Sequence, residues 1–144
     1  MKYTTTINIQ EARDKVIKLF DSVDNMYKWQ PGLISFDHLS GDPGREGAKS
    51  RLKYKMGKRE VEMIETIIRR NFPDEFSGTY EARGVWNQQV NYFEVIDERS
   101  TRWISVSEFR CSGFMKIMCC LMPGAFKKQT LKLMNHFKEF AEGR

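Results

Sequence analysis

The residue most able to do chemistry is Glu65. It falls in Val61, Met63, Glu65, Ile67, every second residue of a β-branched run, and the other three are apolar. A strand sends alternate side chains to opposite faces, so this carboxyl shares the apolar face. Desolvated there, it would hold its proton more tightly than usual and could give or take one. A salt bridge to a nearby Arg, or a register break that exposes it, would fit the same spacing. Tyr54 and Tyr80 occupy apolar parities of neighbouring runs, and either could be the acid or base instead of Glu65. Asn87, Gln89 and Asn91 form a polar parity opposite Trp86, Val90 and Tyr92. They are either a solvated strand face or an amide ladder inside the fold.

Other chemistries lack their residues. His38 and His136 belong to separate elements with no evident Ser or Cys partner, which argues against a nucleophilic triad; both read as surface or rim residues. Cys111, Cys119 and Cys120 have no zinc-ligand spacing and read as free thiols in a reducing cytoplasm. Gly41-Asp42-Pro43-Gly44 has neither the Lys-Ser/Thr ending nor the strand-to-helix setting of a phosphate loop. Neither metal nor cofactor is expected.

These residues must be held by strands. Period-two alternation marks strands at 3–9, 33–39, 48–56, 59–70, 75–82, 85–96 and 101–111. Wide or tight turns such as Gly57-Lys58 and Arg83-Gly84 separate them. After the first strand, Asn8 to Glu11 has the pattern of a capping box. Ala12, Val16, Leu19, Phe20 and Val23 then form a helical stripe that ends before Pro31-Gly32. Pro123 suits the first position of a second, longer helix, with Phe126, Thr130, Leu133, Phe137 and Phe140 at three- and four-residue steps. Between the last strand and Pro123, residues 114–122 are apolar on nearly every side, so they are expected to be buried or to gate a ligand. Consecutive strands joined by short turns pair antiparallel. The expected fold is α+β: a curved antiparallel sheet of about seven strands wrapped around a long C-terminal helix, as one domain over 1–144.

Composition agrees with a packed globular chain. The 144 residues are 40% hydrophobic and 30% charged, enough to bury a substantial core without staples. The net charge of +5 comes from basic residues interleaved with acids, as in Lys58-Arg59-Glu60-Val61-Glu62, which suits solvated strand faces better than a nucleic-acid footprint. The opening Met1-Lys2-Tyr3-Thr4-Thr5-Thr6 has no apolar run of the signal-peptide kind, and no segment has the apolar length of a membrane span. A cytoplasmic monomer or homodimer without stable membrane insertion is expected.

Four stretches in this order resemble the START/polyketide-cyclase/pollen-allergen (SRPBCC) superfamily. They are Trp29-Gln30-Pro31-Gly32-Leu33, Gly41-Asp42-Pro43-Gly44, Thr101-Arg102-Trp103, and the ending from Met122-Pro123-Gly124-Ala125-Phe126 to Phe137-Lys138-Glu139-Phe140-Ala141-Glu142. The resemblance implies a helix-grip fold whose hydrophobic cavity carries lipids, sterols, polyketides or hormones, and in some members serves cyclisation or dehydration. It brings no universal catalytic motif. Strand parity then points Leu52, Tyr54 and Met56 inward, with Met63, Phe76 and Tyr80. The motif favours Trp103, Ser105, Ser107 and Phe109 as inward, although Ile104 and Val106 would serve almost as well. Trp29, Met118, Met122, Phe126, Thr130 and Phe137 complete the expected lining. The function expected is binding or transport of a hydrophobic small molecule, or a cyclase- or dehydratase-type reaction using Glu65.

Overall fold

The computed structural model describes residues 1–143. The elements run β1 (Lys2–Ile9), α1 (Arg13–Phe20), α2 (Val23–Trp29), β2 (Leu33–Ser40), β3 (Lys49–Met56), β4 (Arg59–Asn71), β5 (Glu75–Ala82), β6 (Val85–Asp97), β7 (Ser100–Cys111), α3 (Phe114–Leu121) and α4 (Pro123–Ala141). All seven strands join one sheet in the order β1-β7-β6-β5-β4-β3-β2, every pair antiparallel. Register shifts after Leu33, His38, Ile67 and Val95 mark bulges, which bend strands and deepen their twist.

The first helical stretch departs from expectation. Asn8 and Ile9 stay in β1, paired with Arg102 and Thr101, so the capping box does not form. The helix opens instead at Arg13 behind an uncapped Ala12. It also breaks at Asp21-Ser22, because the Ser22 hydroxyl accepts the Asn25 N–H at 3.2 Å and starts a second helix.

Helix α4 lies across the sheet, with its backbone closest to β1, α2 and α3. Its stripe Thr130, Met134, Phe137, Ala141 is buried. Thr130 Oγ1 shares a 2.7 Å hydrogen bond with the Tyr3 hydroxyl, and Thr5 Oγ1 donates to Met134 Sδ at 3.1 Å.

The apolar core gathers at one end of this layer pair. Phe20 is its hub: the rings of Trp29, Phe72, Phe76, Phe93, Trp103 and Phe137 have centroids 5.1–6.3 Å from its own. Most of these contacts are edge-to-face, the arrangement that aligns a ring's positive edge with its neighbour's negative face.

The other end is positioned by Gly32. Its φ of +85° is open to glycine, and a Cβ there would come 2.4 Å from the Lys55 carbonyl oxygen. Without that atom the two backbones close, and Lys55 N–H donates to the Gly32 carbonyl at 2.7 Å. The end of α2 is thereby fastened to β3 beside Tyr54.

Candidate functional site

Register carries the polar residues into one row across the sheet. Ser50 on β3 opposes Glu65 on β4, Glu65 opposes Tyr80 on β5, Tyr80 opposes Asn87 on β6, and Asn87 opposes Phe109 on β7. A second row runs Ile67, Gly78, Gln89, Ser107, Tyr3, and a third Phe76, Asn91, Ser105, Thr5. All three rows face α4. Beyond them Phe93, Trp103 and Ile7 pass into the aromatic end.

Glu65 is only 7% exposed. Burial pushes its pKa up, and a hydrogen bond donated by the Tyr80 hydroxyl offsets part of that rise. Tyr80 is itself raised well above the ordinary tyrosine range, by burial first and then by the Glu65 charge. Tyr54 is raised for the same two reasons, in the same order. Its hydroxyl donates to Gln30 Oε1 at 2.5 Å, a contact that the Gly32 approach makes possible. Neither an Arg nor a Lys pairs with Glu65 among the described residues. The carboxyl is therefore a buried acid with phenols around it and no counter-ion, suited to giving a proton or a hydrogen bond.

The amides point inward: Asn87 and Asn91 are buried and Gln89 is half-buried. Gln89 Nε2 donates to Asn87 Oδ1 at 3.2 Å, Asn87 Nδ2 to the Glu108 carbonyl at 3.1 Å, and Trp103 Nε1 to Asn91 Oδ1 at 2.9 Å. This resolves the parity of the last two strands. Trp103, Ser105 and Ser107 are buried on the inner face, whereas Ile104 and Val106 are half-buried on the outer one.

The inner face is incompletely covered. Tyr54, Met63, Phe76, Tyr80, Gln89 and Phe109 point the same way as fully buried Leu52, Ser105 and Ser107, yet all stay half-buried. Small residues contribute, since Gly78 and two serines leave the floor low. At Gly78 a Cβ would come within 3.6 Å of the Tyr80 hydroxyl and 3.1 Å of the Thr66 carbonyl oxygen. The Ser105 hydroxyl, buried here, has no hydrogen-bond partner among the described residues.

No family model matches the sequence, and no curated protein does. Solved structures do match over almost the full length. The Zhui aromatase/cyclase from Streptomyces sp. R1128 aligns with a TM-score of 0.81 at 12% identity, over 99% of this chain and 93% of that one. Ara h 8.0201 aligns with a TM-score of 0.76 at 11% identity, covering 100% and 99%. Norcoclaurine synthase from Thalictrum flavum, in complex with dopamine and hydroxybenzaldehyde, aligns at 0.73 and 12%, covering 97% and 85%. This chain has the helix-grip fold.

Within the grip, the residues singled out from the sequence separate into three places. Tyr54, Met63, Tyr80, Phe109 and the α4 residues Phe126 and Thr130 stand with Glu65 at the polar end, where Phe109 and Phe126 rings meet at 4.7 Å. Leu52 is fully buried beside them. Trp29, Trp103, Phe137 and Phe76 instead pack into the aromatic cluster around Phe20, so they close one end of the grip with side-chain contacts. Met118 and Met122 are not buried beneath the helix. Both are exposed, as is Met56 at its hairpin end.

Two further expectations are corrected. Residues 114–122 are not buried: they form α3 and its exit, and α3 has no buried residue. Cys111 and Cys119 are not free thiols but a disulfide joining the end of β7 to α3, and Cys120 is the free cysteine. Two clefts, of about 410 and 380 Å³, lie outside the grip: one by Gly84, Trp86 and Arg110, the other on the outer side of α4 by Leu131 and His136. His38 is exposed, and among the described residues no cluster of three His, Cys, Asp or Glu is placed to hold a metal. No helix there is long and apolar enough to cross a membrane. Gln30 was missed by strand reasoning because it lies outside the strands; its position after Trp29 in the Trp-Gln-Pro-Gly stretch was the available signal.

Proposed function

We propose that the chain binds a hydrophobic small molecule carrying a hydrogen-bonding group, seated at the polar end of the grip. The observation that carries this reading is Glu65, buried without a counter-ion, in register with Tyr80 and beside half-buried apolar side chains. Burial of ligand would contribute roughly 25 cal/mol per Å² of apolar surface, before the cost of ordering. A protonated Glu65 would donate to a carbonyl or ether oxygen, and the Tyr80 and Tyr54 hydroxyls would fix orientation. Met63, Phe109 and Phe126 would supply apolar contact around those groups, the composition usual for small-molecule sites. The norcoclaurine synthase complex, with phenolic ligands in a chain of the same fold, supports the choice of a ligand class having both rings and polar substituents.

Native mass spectrometry of gently purified protein, followed by titration with a panel of phenolic and polyketide-like compounds, tests the reading. Retained ligand, or saturable binding weakened about tenfold by Glu65→Leu, is the expected result. Absence of any ligand and of any binding across the panel would overturn it.

A second reading is favoured by one observation, the raised proton affinity of Glu65 beside Tyr80. A carboxyl whose pKa is pushed up by burial is better suited to giving a proton, as a general acid in cyclisation or dehydration must. Glu65→Gln would separate the two, since an amide preserves shape and hydrogen bonding but transfers no proton. Unchanged binding with lost turnover would identify the enzyme.

A further inference from the structure

The apolar residues of α3 face the wrong way for a core. Phe114 and Leu121 are 74% and 72% exposed, and Ile117, Met118 and the following Met122 are exposed as well. Positions 114, 117, 118 and 121 share one stripe of a helix. The opposite side of the helix is the one held to the protein. Cys119 is bonded to Cys111 of β7, and Met115 sits over Gly84, where a Cβ would lie 3.0 Å from Met115 Cγ. The outward stripe is therefore set by two contacts on the inner side of α3.

The segment that carries this stripe is basic. Residues 109–138 contain Arg110, Lys116, Lys127, Lys128, Lys132 and Lys138, and all 19 Asp and Glu lie outside that segment. Lys116, Lys127 and Lys128 are exposed. An apolar ridge with exposed lysines beside it, on a short helix lying along the surface, matches a bilayer interface: acyl chains take the apolar side chains while lysines reach anionic headgroups. A second copy fits poorly, because a symmetric contact would set the two cation clusters against each other.

We infer that α3 and the start of α4 form a docking face for anionic lipid bilayers. Phe114, Ile117 and Leu121 insert at the headgroup–acyl boundary, and Lys116, Lys127 and Lys128 bind the charged surface. The contact is peripheral and reversible. It does not depend on what the grip binds.

Flotation of the full chain with phosphatidylcholine vesicles, with and without phosphatidylglycerol, tests it. Binding is expected to anionic vesicles, to weaken as salt rises, and to fall about tenfold or more in Ile117→Asp/Leu121→Asp and in Lys127→Glu/Lys128→Glu. All four positions are solvent-exposed, and circular dichroism checks that each variant is folded. Failure of the wild type to float with anionic vesicles would overturn the proposal, as would binding unchanged in the Ile117→Asp/Leu121→Asp variant. A wild-type dimer that the same variant turns into a monomer would assign the face to a second copy and overturn it too.

Discussion

Glu65 on β4 and Tyr80 on β5 are direct cross-strand partners on the sheet's inner face, and the Tyr80 hydroxyl is the hydrogen-bonding group that tempers the rise in the Glu65 pKa. Two groups that both resist ionisation when desolvated sit together without a cation, so the native state favours the form in which Glu65 keeps its proton.

That arrangement gives a pH signature. Glu65 has a folded pKa raised above its ordinary 4.5, so the folded chain binds the extra proton more readily than the unfolded one. Its contribution to stability is full below the ordinary value and is lost as pH climbs through the raised one. Glu65→Gln removes the titration and should be more stable than wild type at pH 8 by about 1–3 kcal/mol, with the gap closing toward pH 4. Urea unfolding across that range measures it; a variant less stable than wild type at pH 8 would contradict a buried, unpaired carboxylate.

Tyr80→Phe acts in the opposite sense on the same group. It deletes the hydrogen bond that favours ionised Glu65, so the pKa of Glu65 should rise further. Carboxyl carbon chemical shifts followed through a pH titration report it directly. A downward movement would mean that Tyr80 does not donate to this carboxylate.

Gly32→Ala tests the fastening of α2. The added methyl meets the Lys55 carbonyl and the positive φ is strained for alanine. A loss of about 1–3 kcal/mol is expected, seen as a lowered Tm. Because Gln30 reaches Tyr54 only through this approach, ligand affinity should fall as well, whereas Gly44→Ala, with open space around it, should leave affinity unchanged.

Phe20→Ala removes the ring on which six aromatic neighbours converge. A cost of about 3–5 kcal/mol is expected in chemical denaturation. A cost near 1 kcal/mol would mean the neighbours collapse into the space, and that this end is less tightly packed than its ring contacts imply.

Much of this is legible in the sequence. Leu52 and Tyr54 alternate with Lys53 and Lys55, and Glu65 sits among Val61, Met63 and Ile67, so period two alone assigns their faces. Short turns between successive runs oblige antiparallel neighbours, and Pro123 followed by a three-and-four repeat opens the long helix. Where both parities are partly apolar, as in β7, alternation is silent; Ser105 and Ser107 turn inward because Trp103 between Asn91 and Phe137 holds the register.

What the chain's order of residues determined by itself is local: periodicity, turn chemistry, and the presence of a carboxyl on an apolar strand face. The tertiary structure decided what lies opposite each face. Residues 114–122 have the same hydrophobicity whether covered or bare, and it is contacts such as the disulfide to Cys111 and the Met115 seat on Gly84 that turn that stripe to solvent. Glu65 likewise acquires its proton affinity from neighbours on other strands, because desolvation and hydrogen bonding depend on distances that no single segment can specify.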